Sequence, residues 1–555
     1  VKIIQNIPFK KTMKWGDNSF KFARPVKSFI SLFDDQIAPF EIDGIVASNK
    51  TTGHRFHGNE VIEVLNPDDY FNKLASKSVI VSRSDRKKMI ENEILTTASQ
   101  HNIQVKIDED LLDTVTNLVE YPFAVLGSFN RDFLQLPEEV LITSMKNHQK
   151  YFYTIDKNGK ITNLFIGISN TKPVNENIRK GYERVLRARL TDAMFFFEND
   201  KNIKLEDRVE ELKKVIYQEK LGTSYEKMER FSNIASYLCD ILDISNEDRE
   251  YVLRTAKLCK ADLMTEMVYE FPELQGVMGR EYAKIQGENE QVYMGIFEHY
   301  LPKFSGDQLP KTISGAIVSI SDKIDTICGC FAIGLIPSGN NDPYALRRNS
   351  IGILQIIRNR NFRINLGELI DRSLYNLSNR VKFNQEEVKK QIIEFILLRF
   401  KQILIGEGIS PDAVDAVLNN YNDIIKIEKN AKAISEAKNS QSFTSIAQSY
   451  KRINNILKKS EHNKTGYNEA LFNTDYEKKL SVNLNGISEN LQLYLDKESY
   501  DKGLEILLTL EKPINEFFDN VMVMVEDPEI RSNRISLLAA LKQMFDKMGD
   551  LSLIN

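Results

Sequence analysis

The residues best placed to do chemistry lie in a helical-looking stretch, KLCKADLMTEMVYEFPELQGVMGREY (257–282), followed by SISDKIDTICGCFAIGLIPSGNNDPYALRR (319–348). Asp262 in the first segment and Asp322 or Asp325 in the second are carboxylates of the kind that hold a divalent metal for phosphoester hydrolysis. That chemistry also needs neutral imidazoles, which share the metal and set its geometry. No histidine lies between His148 and His299, so the ligand count fails. The residues instead predict that Asp262 and Asp322 pair with Lys260, Lys323 or nearby arginines, or cap helices.

The outline of these two segments resembles a helical metal-dependent phosphohydrolase of the His-Asp type. Here Lys260-Ala261-Asp262 stands where a His-Asp pair belongs. A retained scaffold without its ligands points to binding rather than catalysis, with no resident metal. Cys239, Cys259, Cys328 and Cys330 fall in the same region. Four thiolates can bind zinc, but the one close pair, Cys-Gly-Cys, lacks the usual two-residue spacing, and buried reduced thiols are the expectation.

Basic strips are the second kind of candidate. In RKGYERVLRAR (179–189), Lys180, Arg184 and Arg187 share a helix face by i,i+4 and i,i+3 spacing. They suit binding to a phosphate backbone, against the alternative of pairing with Glu183 and Asp192. In GLIPSGNNDPYALRR, Asp342 is a candidate N-cap with Pro343 at the first helical position. Arg347 and Arg348 follow beside a helix N-terminus that can hold phosphate. Lys146, His148 and Lys150 flank Tyr151, Phe152 and Tyr153, a mixture that suits RNA or a strand core. Near the end, YKRINNILKK (450–459) reads as an amphipathic helix with Ile453, Ile456 and Leu457 inward. Lys451, Arg452, Lys458 and Lys459 then face water, and Arg531 and Arg534 recur one turn apart after EDPEI.

The elements that must position these residues follow from length and periodicity. A chain of 555 residues exceeds one core and suggests three or four domains. Its 42% hydrophobic and 27% charged residues are ordinary for globular proteins, and a net charge of −4 gives no global basic field. No apolar run approaches the roughly 20 residues that span a bilayer, and no signal peptide is evident. Four cysteines make no disulfide framework and fit a reducing cytosol. Residues 1–170 mix short strands and turns. Candidate strands are Phe20–Phe22, Phe29–Phe33 and Ser78–Ser82, TTGHRFHG (51–58) reads as a loop, and a KNGK turn between YFYTID and ITNLFIGISN signals a hairpin. From about 176 the period becomes helical, with helices expected over 205–220, 225–243, 247–268, 312–335 and 344–360. Breaks are expected near 376–386 and 460–478. The fold class is α+β multidomain. The chain opens at Val1 inside patterned sequence and reads as a fragment lacking its N-terminal segment. Phosphate-loop, GxGxxG and GxSxG motifs are absent, so nothing marks an ATP site.

Taken in order, MKWGDNSFKFARPVKSF (13–29), GHRFHG (53–58), EVLITSMKNHQKYF (139–152), RVLRARLTDAMFFFEND (184–200), EKLGTSYEKMER (219–230) and ADLMTEMVYEFPELQGVMGREYA (261–283) resemble one family. HYLP (299–302), SDKIDT (321–326), GLIPSGNNDPYALRR (334–348) and FFDNVMVMVEDPEIRSNRISLLA (517–539) continue it. The family is the β subunit of bacterial heterotetrameric glycyl-tRNA synthetase. The resemblance implies an α2β2 assembly, with glycine, ATP and Mg2+ handled at the α subunit and no catalytic residue or cofactor in this chain. It implies tRNA-Gly binding and a cytoplasmic location, and the basic strips offer Lys180, Arg184, Arg187, Arg347, Arg348, Lys451, Arg452, Lys458, Arg531 and Arg534 as the candidates for that binding. It further implies four parts: residues 1–210, a mixed α/β region similar to tRNA-binding parts of synthetases and amidotransferases; 211–362, an all-α degenerate His-Asp (HD) domain around Asp262 and Asp322; 363–444, a helical linker; and 445–555, an all-α anticodon-binding (DALR-like) bundle. The rivals are a metal-dependent phosphohydrolase and a structural assembly subunit that touches no RNA.

Overall fold

The computed structural model describes residues 1–17, 19–339, 341–460 and 466–554. The chain divides into two compact units, Val1–Asn202 and Ile203–Asn555. The first is α+β and the second is almost wholly helical.

The first unit begins with short strands. Ile45–Ser48 runs between Phe29–Ile30, its parallel neighbour, and Glu41–Ile42, its antiparallel one. The expected strand at Phe20–Phe22 is reduced to a single bridge between Met13 and Phe22. Ser78–Ser82 is not a strand. Ser78 takes a positive φ of 61°, the Val79 N–H turns back to the Leu74 carbonyl, and Ser82 caps the helix Arg83–Gln100.

A four-stranded antiparallel sheet forms the body of this unit, in the order Gln104–Val105, Phe152–Ile155, Ile161–Ser169, Phe123–Ser128. The KNGK hairpin forms as expected: the Asp156 N–H donates to the Lys160 carbonyl, and Gly159 supplies a φ of 80° that other residues resist. Ile90, Ile94, Leu111, Leu112 and Val115 pack with Phe152 and Ile166 in one core cluster, which joins the helices Arg83–Gln100 and Glu109–Thr116 to the sheet. The 25-residue helix Asn177–Lys201 is also tied to the sheet. Its Glu183 accepts from the Ser128 N–H, and its Tyr182 hydroxyl donates to the Ile168 carbonyl. The Tyr182 ring lies so close to Gly167 that an added Cβ would sit 2.7 Å from it. Tyr151 and Phe152 are core residues, and Lys146 is paired with Asp108 at 2.5 Å. That stretch therefore belongs to the packing of the sheet.

The second unit is organised around the helix Ile313–Ala332, in which every residue but Ile313 and Asp322 is buried. Apolar residues all round, with glycines at 315 and 329, let neighbouring helices cover every face. Thr312 caps it by accepting from the Gly315 N–H, and the buried Glu298 accepts from the Thr312 hydroxyl at 2.6 Å. Two expected helices are interrupted. The 205–220 segment is helical only to Val209. After one tighter turn it becomes the strand Ile216–Gln218, paired with Gly222–Thr223 across a turn that Gly222 closes at φ 95°. The 247–268 segment ends its first helix at Leu258 and, after a tighter turn at Ala261–Met264, Thr265 caps a new short helix, Glu266–Glu270. The C-terminal helices Gln441–Ser460, Asp475–Asp496, Tyr500–Leu508, Glu511–Asn520 and Pro528–Asp546 enclose Phe443, Tyr450, Ile453, Leu484, Phe517, Leu538 and Phe545. Among the described residues, no helix is long and apolar enough to cross a membrane.

Candidate nucleic-acid interface

Asp322 projects from the central helix into a ring of buried charge. Its Oδ1 lies 2.7 Å from Lys227 Nζ and its Oδ2 accepts from Lys260 Nζ at 2.8 Å. One turn further on, Asp325 takes Arg230 in a bidentate grip of 2.7 and 3.0 Å, and Lys227 reaches it at 3.2 Å. Burial opposes ionisation of Asp322, but the two ammonium groups overcome it and hold the carboxyl well below the usual range. The same exchange keeps Lys227 and Lys260 charged against their own burial.

Asp262 stands in a different environment. It is fully buried, and its Oδ2 accepts from the backbone N–H groups of Gly276 at 2.5 Å and Gly279 at 3.1 Å. Burial dominates and pushes its carboxyl up to about 6 in spite of these donors. The expected pairing is therefore met by Asp322 with Lys260, and the expected alternative, helix capping, by Asp262 at the start of the helix Val277–Ile285. Lys323 meets no acid among the described residues. Its Nζ donates to the carbonyls of His299 and Leu301 and to the Ser319 hydroxyl, and burial lowers its ammonium to about 7. His299 donates from Nδ1 to the Ile296 carbonyl at 2.6 Å, and burial keeps it neutral.

This arrangement does not fit a divalent metal. The carboxylate that would ligate is covered by two lysines, and a cation would have to displace both. Among the described residues, no group of three or more His, Cys, Asp or Glu side chains is placed to hold a metal ion. The four cysteines are buried; desolvation raises Cys239 and Cys330 to about 11 and Cys259 and Cys328 further. Lys227 and Arg230 carry much of this network without having stood out in the sequence, whereas Asp325 is one of the candidate carboxylates there. The signal was the i,i+3 pair of cations in YEKMER facing the i,i+3 pair of acids in SDKID.

The loop before the helix Leu346–Arg360 differs from expectation. Asp342 does cap, accepting from the N–H groups of Leu346 at 2.8 Å and Arg347 at 3.0 Å. The helix starts at Leu346, however, after Ala345 in a left-handed conformation, so Pro343 lies outside it. A carboxylate already occupies this helix N-terminus, which removes it as a phosphate cradle. Arg347 is half-buried and Arg348 is exposed, and neither makes an ion pair among the described residues.

The basic strips divide by partner. On the helix Asn177–Lys201, Lys180 is tied to Glu176 at 3.1 Å, and Arg179 bridges Glu176 and Glu183. Arg184 and Arg187 are exposed and have no acidic partner among the described residues. In the C-terminal bundle, Lys451 donates to the Ile554 carbonyl at 2.6 Å, and Arg452 stacks 4.1 Å over the Phe518 ring. Lys458 is exposed and unpaired among the described residues. Arg531 is half-buried and donates to the Val525 carbonyl. Arg534 is only 6% exposed. It grips Glu477 at 2.8 and 3.2 Å and donates to the Met522 carbonyl, which makes it a brace of the bundle rather than a free surface cation. Beside it, Met522 and Met524 are 73% and 57% exposed, an apolar surface that periodicity did not single out.

Comparison with known proteins bears on the whole chain. The profile of the glycyl-tRNA synthetase beta subunit matches residues 1–419. That of the DALR anticodon binding domain matches residues 446–554. The glycine–tRNA ligase beta subunit of Syntrophus aciditrophicus is 42% identical over 555 residues, all of this chain and 80% of that protein. The beta subunit of Geobacter metallireducens is equally similar over the same coverage. That of Clostridioides difficile is 41% identical over 550 residues, 99% of this chain and 79% of the relative. The chain belongs to the glycyl-tRNA synthetase beta-subunit family, with a DALR anticodon-binding domain at its C-terminal end.

Proposed function

We propose that this chain is the tRNA-binding, non-catalytic subunit of a cytoplasmic glycine–tRNA ligase. In this reading it works in an α2β2 heterotetramer. ATP, Mg2+ and glycine are handled by the α subunit, and this chain contributes no adenylate-forming residue. Residues 1–210 serve as a tRNA-binding region, 211–362 as a degenerate HD-type scaffold, 363–444 as a linker and 445–555 as the anticodon reader.

The observation that carries the reading is the DALR match falling on a closed helical bundle whose surface keeps cations free of acids, Arg452 and Lys458, among the described residues. A cation held rigidly but unpaired can neutralise a phosphate and release its counterion. Arg452 is pre-set by its stack on Phe518, and the exposed Met522 and Met524 offer an apolar surface for unstacked bases. Arg184 and Arg187 supply a second such strip in the first unit. Arg534 and Lys451 enter this proposal as residues that hold the bundle in shape, not as phosphate ligands.

The test is glycylation of tRNA-Gly by purified α subunit with and without the full-length chain, together with tRNA binding against salt. Charging should require the chain. Arg452→Glu with Lys458→Glu should weaken binding and flatten the dependence of log K on log salt by about one for each phosphate no longer neutralised. An unchanged affinity and slope in that double variant would sink the anticodon-domain assignment.

A further inference from the structure

The cavity beside Asp322 has a volume of about 400 Å³, within the roughly 300–1,000 Å³ typical of small-molecule sites. Its wall includes His299, Tyr300, Lys303, Asp322, Lys323 and Arg348. Two carboxylates line the cavity, Glu273 and Asp322, and Asp322 is compensated twice, by Lys227 and Lys260. The cations are not. Lys323 is buried and, among the described residues, bonded only to neutral oxygens. Lys303 lies over the Phe297 and Tyr300 rings, and neither it nor Arg348 at the rim makes an ion pair among the described residues. Three basic groups thus converge on one cavity, none in an ion pair among the described residues, and the buried Lys323 carries its charge there only at a cost that an entering anion would lower.

A second group refines the chemistry. Because His299 donates from Nδ1 to a carbonyl, its Nε2 is a lone-pair acceptor, and this buried nitrogen has no hydrogen-bond partner among the described residues. An acceptor next to three basic groups matches a ligand that is anionic at one end and carries a hydroxyl.

We propose that this cavity is a binding site for the phosphate group of a hydroxyl-bearing phosphate ester, held by Lys323, Lys303 and Arg348 with a hydroxyl donated to His299. Binding involves no metal and no bond cleavage. The phosphate can come from a free ester or from RNA, and the chemistry of recognition is the same. The site goes beyond the tRNA-binding reading and stands whether or not that reading does.

The test is calorimetric titration of the full chain, without tRNA, at ionic strength held constant with chloride. The probes are inorganic phosphate and ribose 5-phosphate. Both should bind saturably, ribose 5-phosphate more tightly. Lys303→Glu and Arg348→Glu should each weaken binding by about tenfold, as expected when a charge-assisted hydrogen bond is removed. His299→Phe should erase the advantage of ribose 5-phosphate over phosphate. Lys502→Glu, an exposed site in the C-terminal bundle, should change nothing. Circular dichroism establishes that each variant is folded; the rim position of Arg348 makes it the most tolerant. Absence of saturable binding, or equal affinity in wild type and the Lys303→Glu and Arg348→Glu variants, overturns the proposal. A further arm adds tRNA-Gly to the phosphate-loaded chain. Displacement of phosphate assigns the site to RNA, and simultaneous binding assigns it to a free ester; both outcomes uphold the pocket.

Discussion

Two regions of this molecule are equally rich in charge and use it in opposite ways. Around Asp322 and Asp325, two lysines and an arginine from elsewhere in the unit are consumed in largely buried ion pairs. Along the helix Asn177–Lys201, Arg184 and Arg187 are carried on a rigid rod and left without an acid to pair with among the described residues. The first pattern fixes helices against one another; the second keeps a field available for something outside. The contrast repeats within a single turn of the C-terminal bundle. Arg534 is locked to Glu477, while Arg531, three residues earlier, reaches only the Val525 carbonyl among the described residues. A cation in a sequence therefore says little until its partner is known.

The contrast is open to direct attack. The largest effect should come from Asp325→Ala, which strands Arg230 in the interior and removes one of the two carboxylates around Lys227; denaturant unfolding should show a loss of about 3–5 kcal/mol. A loss below about 1 kcal/mol would mean that the buried network is not structural. Next comes Arg534→Leu, expected to cost about 3 kcal/mol in thermal unfolding. It falls at the low end because the Thr474 hydroxyl and backbone N–H still donate to Glu477.

The third effect depends on pH. Folded Asp262 keeps its proton up to about 6, whereas the unfolded chain releases it near the ordinary 3.8. Across that window the folded state binds more protons, so stability falls as pH rises and then levels off above 6. Asp262→Asn retains an oxygen for Gly276 and Gly279 and removes the titration. Its stability relative to wild type should improve by on the order of 2–3 kcal/mol between pH 4 and pH 7. A constant difference would show that Asp262 does not titrate in that range. The smallest structural effect belongs to Arg184→Glu with Arg187→Glu, whose stability should stay within about 0.5 kcal/mol of wild type. The tRNA-binding salt slope should nevertheless fall by about one per residue. Destabilisation without a change in slope would reverse the roles assigned to the two regions.

What could be read from sequence was what neighbouring residues decide together. The KNGK hairpin, the burial of Ile453 in Gln441–Ser460 and the run of Arg184 and Arg187 on one helical face all depend on spacings of a few residues, and all three formed, although Ile456 and Leu457 are only half-buried. Asp342 was legible as a cap, but the left-handed Ala345 that shifts the start of the helix was not, because its conformation is set by the surrounding loop. Asp322 was visible as a carboxylate in a helix; its partner Lys227 lies 95 residues away, and no periodicity joins them. Arg534 was misleading for the same reason. Its spacing from Arg531 suggested a shared surface, but burial against Glu477, 57 residues earlier, put it inside.

The burial of the thiols has a practical side. All four native cysteines are enclosed and their protonated form is strongly favoured, so at neutral pH they present almost no thiolate to an alkylating reagent. A single cysteine introduced at an exposed position such as Ala188 would react alone. The unaltered chain is thus a ready background for attaching one fluorophore or cleavage probe at a chosen point, and for mapping what approaches that point.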